Sequence, residues 1–120
     1  MSTYTDGFVL CIPTDKLTEY TALATQAGAI WREHGALEYH ECAADDMNAH
    51  DMISFTDMAK AKPNEIVIFS WAVFRSREHR DETNTKIMAD PRLAQICPAT
   101  ANIFDCKRMA FGGFKSIVSL

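Results

Sequence analysis

Residues 66–74 read Ile-Val-Ile-Phe-Ser-Trp-Ala-Val-Phe, a run with no charge and no polar/apolar alternation. β-Branched and aromatic side chains favour an extended backbone. A strand without alternation needs apolar cover on both of its faces. A chain of 120 residues must therefore build two covering layers, or build one and borrow the other.

The remaining segments supply only one. Residues 4–12 form a first strand, ended by Pro13. Thr14 or Asp15 then offers an N-cap, with Glu19 in capping-box reach, for a helix running to about His34. Its Leu17, Tyr20, Leu23, Ala24, Ala27, Ile30 and Trp31 fall on one stripe, and Gly35 suits its C-terminal turn. Residues 37–43 alternate as a half-exposed edge strand. Residues 44–64 form a long polar loop in which Thr56-Asp57 can cap one helical turn. After the apolar strand, Ser76 caps a second helix over residues 77–89. Asp90-Pro91 breaks it, and residues 92–96 add one more turn. Residues 107–118 make the last strand, where Gly112-Gly113 suggests a bulge or bend.

Strand, helix, strand, strand, helix, strand is the split βαβ pattern, an α+β ferredoxin-like βαββαβ unit with a four-stranded antiparallel sheet. Its first and third strands are central, in keeping with their apolar content. Two helices cover one sheet face. The simplest cover for the other is a second copy, so a homodimer through the sheet face is expected.

Composition narrows the function classes. Hydrophobic residues make up 48% and charged residues 23%, ordinary for one globular domain spanning residues 1–120. Lys and Arg number 12 against 16 Asp and Glu, a net charge of −4 that argues against a nucleic-acid partner. No apolar run reaches transmembrane length, and residues 1–6 lack the basic-then-apolar order of a leader, so no membrane association is expected. Cys11, Cys42, Cys97 and Cys106 form no C-x-x-C pair and read as reduced thiols of a cytoplasmic protein. No motif implies a cofactor.

Blocks along nearly the whole chain carry a resemblance. They include Asp6-Gly7-Phe8-Val9, Glu33-His34-Gly35-Ala36-Leu37-Glu38-Tyr39 and Phe69-Ser70-Trp71. His79-Arg80-Asp81, Asn84, Met88-Ala89-Asp90-Pro91-Arg92, Lys107-Arg108-Met109 and Gly112-Gly113-Phe114 continue the series. In these the chain resembles the YbaA-like domain-of-unknown-function family numbered 1428. The resemblance implies a bacterial cytosolic protein with a dimeric α/β-barrel fold and no established activity. The wider fold group includes cofactor-free monooxygenases, haem-degrading enzymes, isomerases and amino-acid-sensing modules, so fold alone does not assign chemistry.

A handful of residues could carry chemistry. On the second helix Arg80 and Asn84 share the side of Ile87 and Met88, with Arg77 near it. This is a polar stripe where core is expected. Either Arg80 binds an anionic or carbonyl ligand group that Asn84 orients, or Arg80 pairs with a carboxylate at the sheet edge. His79 is the candidate acid–base residue, titrating near neutrality, or else part of the helix cap. His34 suits a helix C-terminus. Trp71 could stack on a flat ligand or fill the core. Lys107 and Arg108 make a basic spot for an anionic ligand or pair with a surface acid such as Asp105. Cys106 is the thiol that this spot would activate. Glu38, His40, His50 and Asp51 contain metal-ligand types but match no spacing rule, and no metal is assigned.

Two classes of function follow. One is a small-molecule binder or cofactor-independent enzyme, oxygenase- or isomerase-like, with its site between helix and sheet. The other is a non-catalytic dimeric stress or interaction module with a dry core.

Overall fold

The computed structural model describes residues 2–120. Its elements run β1 (Tyr4–Pro13), α1 (Leu17–His34), β2 (Glu38–Ala43), α2 (Phe55–Met58), β3 (Glu65–Phe74), α3 (Arg77–Met88), α4 (Pro91–Ala101) and β4 (Ala110–Lys115). The sheet is antiparallel with order β2-β3-β1-β4, the expected ferredoxin-like arrangement with β1 and β3 central. β1 and β3 pair over their full lengths, from Tyr4 opposite Phe74 to Pro13 opposite Glu65.

Because side chains alternate along a strand, this register sorts the sheet into two faces. Leu10, Ile12 and Ile68 join Tyr20 of α1 in one buried cluster on the helix face. Ile30 of α1 meets Ile87 of α3 and Ile96 of α4 in a second. Ala36, Ala72 and Phe74 form a third, beneath Trp31. The opposite face carries Phe69, Trp71 and Val73 of β3 and Phe114 of β4, with only the four-residue α2 leaning on it through Phe55, 5.8 Å from Phe69. Phe69 stays 44% exposed and Phe114 62%. Within this chain that face is covered only at one end, where Val67 and Cys11 are buried beneath residues 44–59, and it stays open around Phe69 and Phe114.

Several local expectations are corrected. Neither Thr14 nor Asp15 caps α1: Thr14 is drawn to the Asn64 carbonyl through its N–H (2.9 Å) and hydroxyl (3.1 Å), and a 3₁₀ turn leads into the helix. α2 is capped by Ser54, whose Oγ accepts from the Asp57 N–H, and not by Thr56-Asp57. Asp90-Pro91 does not merely end a helix; it starts one. The Asp90 carboxylate accepts from the Arg92 N–H and Pro91 takes the first helical position, where its missing donor costs nothing, so α4 is eleven residues long. On α3 the buried side holds Thr83 and Ile87, while Met88 is 66% exposed.

The last strand is shorter than residues 107–118, because Cys106–Arg108 forms a 3₁₀ turn capped by Asp105. Gly112 and Gly113 make no bulge; they pair regularly with Gly7 and Asp6. A Cβ on Gly113 would lie 2.8 Å from Tyr4 Cε2 and 3.0 Å from Arg80 Nη1, so the glycine clears space for Arg80.

Candidate functional site

Between α1, α4 and the helix face of the sheet lies a cavity of about 390 Å³. Five aromatic rings (Phe8, Tyr20, Trp31, Tyr39 and Phe104) stand in its wall. Glu41 is the single charged side chain in its lining. A neighbouring cleft of about 340 Å³, between the start of α1 and the edge strand β2, shares Tyr20, Ala24, Tyr39 and Glu41 with it. The carboxylate thus stands at the wall common to both spaces.

Local structure explains its position. Tyr39, Glu41 and Ala43 alternate onto the helix face of β2, opposite Ala72, Ser70 and Ile68. Tyr20 reaches down from the first turns of α1 and donates its hydroxyl to Glu41 Oε1. Tyr39 donates to Oε2 at 2.6 Å. Burial first, and then the hydrogen bond and charge of Glu41, push both phenols well above the ordinary tyrosine range, so both remain donors. Gly28 allows this approach: a Cβ there would lie 2.7 Å from Tyr39 Cδ1. Trp31 packs at 5.8 Å from the Tyr39 ring. Its indole nitrogen is the one buried side-chain polar atom without a partner among the described residues. Ser70, opposite Glu41, is buried and also lines the cavity.

A family described as "Protein of unknown function (DUF1428)" matches residues 3–106. The chain belongs to that family. Its relatives include the protein YbaA of Escherichia coli strain K12, 42% identical over 115 residues that cover 96% of this chain and 97% of YbaA. The Shigella flexneri YbaA matches to the same extent. Among solved structures, a NIPSNAP family protein from Agrobacterium tumefaciens superposes with a TM-score of 0.61 at 19% identity, covering 95% of this chain and 87% of that one. SnoaB, a cofactor-independent oxygenase from Streptomyces nogalater, superposes with a TM-score of 0.55 at 13% identity, covering 99% and 95%. At such identities the likeness is one of fold.

The residues singled out from sequence are scattered. Arg80 sits over β1, with Nη1 2.6 Å from Asp6 Oδ1, Nε 2.8 Å from Asp81 and its guanidinium 4.9 Å from the Tyr4 ring centre. Asp6 is 1% exposed; burial raises its pKa, against the opposing pull of Arg80 and the Asn84 amide. Arg80 and Asn84 are thus brought together, around a carboxylate of the chain itself. Neither lines the aromatic cavity.

His79 belongs to a backbone junction. Its Nδ1 accepts from the Arg75 N–H at 2.9 Å, its other nitrogen faces the Gly35 backbone, and its ring packs edge-on against Phe74. Burial, then Arg75, lower its pKa. Trp71 lies on the helix-free face, stacked on His40 at 4.7 Å. His40 in turn meets Glu38 at 2.9 Å. Arg108 forms a two-pronged pair with Glu65, both contacts 2.8 Å, and bonds the Lys60 carbonyl. His34 contacts Asp90 at 2.7 Å. Among the described residues no group of three or more His, Cys, Asp or Glu side chains is placed to hold a metal ion.

Glu41 is not among the residues that the sequence singles out. The available signal was its place between Tyr39 and Ala43 in an alternating strand, an acid on the inward parity. The partnership with Tyr20, twenty-one residues away, has no spacing signature.

Proposed function

We propose that this chain binds a small, largely apolar molecule in the cavity between its helices and sheet, working as a homodimer closed through the helix-free sheet face. The observation that carries the first part is a 390 Å³ aromatic-walled cavity with a single charge. That volume lies within the range of sites for small organic ligands. The second part rests on Phe69 and Phe114, large apolar side chains exposed on one contiguous face with Phe55 and Met58. A second copy would remove this surface from water, and the symmetry closes after two subunits. Four unpaired cysteines suit a reducing cytoplasm, and among the described residues no helix is long and apolar enough to cross a membrane.

The likeness to SnoaB supports a catalytic version of the same reading. A carboxylate positioned inside an apolar cavity can accept a proton from a bound substrate, the opening step of cofactor-free isomerisation or oxygenation. In this reading Arg80 and Asn84 have a structural role, satisfying the buried carboxylate of Asp6.

Native mass spectrometry of gently purified protein tests the proposal. The expected result is a dimer carrying extra small-molecule mass, which is lost in Ala27→Trp, a substitution that fills the cavity. A bare dimer that also shows no thermal shift with a panel of apolar small molecules would overturn the binding reading in favour of a non-catalytic interaction module. A monomer would overturn the dimer.

A further inference from the structure

A carboxylate in an apolar wall carries an unbalanced charge, and the surroundings of Glu41 do nothing to balance it. Among the described residues it makes no ion pair; its two contacts are neutral phenols. The candidate cations are occupied elsewhere: Arg80 by Asp6 and Asp81, Arg92 by Glu33 and Asp90, and Arg108 by Glu65. No Lys or Arg lines the cavity. A half-buried ion without a counter-charge is costly. An ionised carboxylate has about four acceptor positions, of which the two tyrosines take two. The free positions and the missing positive charge call for the same partner, a cation bearing N–H donors.

The walls fit that partner. Tyr20, Trp31, Tyr39, Phe8 and Phe104 surround the space, and the faces of such rings attract cations. The protein's net charge of −4 adds a longer-range bias of the same sign. An anionic ligand would meet Glu41 with no cation to offset the repulsion.

We infer that the cavity accepts a protonated organic amine with an apolar body, its ammonium donating to Glu41 between the rings of Tyr20 and Tyr39. The inference rests on the cavity being the ligand site and adds the class of ligand. It also reverses the expectation of an anion held by Arg80.

Calorimetric titration with three probes of one skeleton decides it: 4-phenylbutylamine, 4-phenylbutanol and 4-phenylbutanoate. The expected order is amine tightest, by about tenfold or more over the alcohol, with the carboxylate not binding. Glu41→Gln removes the charge while keeping the shape of the site, and is expected to abolish the amine's advantage over the alcohol. If amine and alcohol bind equally to the unaltered protein, or the carboxylate binds best, the amine assignment is wrong while the cavity remains a ligand site. If none of the three binds, the ligand site itself falls, and the assignment with it. The comparison on unaltered protein stands whether or not the variant folds.

Discussion

Tyr39 and Glu41 stand two positions apart on one edge strand, and the phenol of the first donates to Oε2 of the second at 2.6 Å. Period-two alternation puts both on the helix face. The edge strand turns one of its charges inward, a device that also blunts a sheet edge, and clamps it between its own tyrosine and Tyr20 of α1. The clamp joins the packing of α1 on the sheet to the electrostatics of the cavity.

Removing either phenol leaves Glu41 one donor, and removing both leaves none. Tyr20→Phe and Tyr39→Phe are each expected to cost about 1 kcal/mol, the net worth of a hydrogen bond. The double variant is expected to cost more than the sum, because the carboxylate then lacks both partners. Urea denaturation of the four proteins measures the coupling; strict additivity would show that the two bonds act independently.

Gly28→Ala sets two effects against each other. Alanine improves helix propensity by roughly 1 kcal/mol, but its Cβ would lie 2.7 Å from Tyr39 Cδ1 and displace the ring from Glu41. The displacement is expected to win, lowering stability and weakening amine binding together. A more stable variant with unchanged binding would mean the ring has room to move.

Arg80→Ala leaves Asp6, 1% exposed, without its charge partner. The expected loss is about 3 kcal/mol. Burial already raises the Asp6 pKa, and losing Arg80 raises it further. A carboxyl with a raised folded pKa is tolerated when protonated and costs stability as pH rises. The deficit of the variant should therefore grow from pH 4 to pH 7, and Asp6→Asn in the same background should flatten it. Denaturant midpoints across that range check the slope.

Glu65 shows the opposite sign. Hydrogen bonding from Arg108 lowers its pKa from 4.5 to about 2. Its contribution is fully present above pH 4.5 and fades as pH falls towards 2. Arg108→Ala should lower the melting temperature at pH 7 by several degrees, with the gap to the unaltered protein closing near pH 2. A gap that stays constant with pH would rule out the ion pair as its source.

Phe69→Asp places a charge at the centre of the helix-free face, where the side chain is 44% exposed in the single chain. Sedimentation velocity is expected to report a monomer with an otherwise folded circular-dichroism spectrum. A persistent dimer would move the interface off this face.

The layer plan is legible in the residues alone. The unalternating run at residues 66–74 requires a central strand, its partner at β1 follows from apolar content, and the stripe on α1 follows from 3.6-residue periodicity. These are local signals, and local signals also carry the Ser76 cap of α3. Local rules failed where a residue had two possible partners. Thr14 offered a cap but found the Asn64 carbonyl, and Asp90-Pro91 had the composition of a breaker and the geometry of a start.

The site belongs to tertiary structure. His79 and Arg80 draw attention in sequence because their side chains are chemically versatile, but packing spends them on the Gly35 backbone and on Asp6. Glu41 looks like one more surface acid until the crossing of α1 over β2 brings Tyr20 to it. Hydrophobic periodicity is written along the chain; which polar groups meet inside it depends on how distant elements cross, and no single segment encodes that.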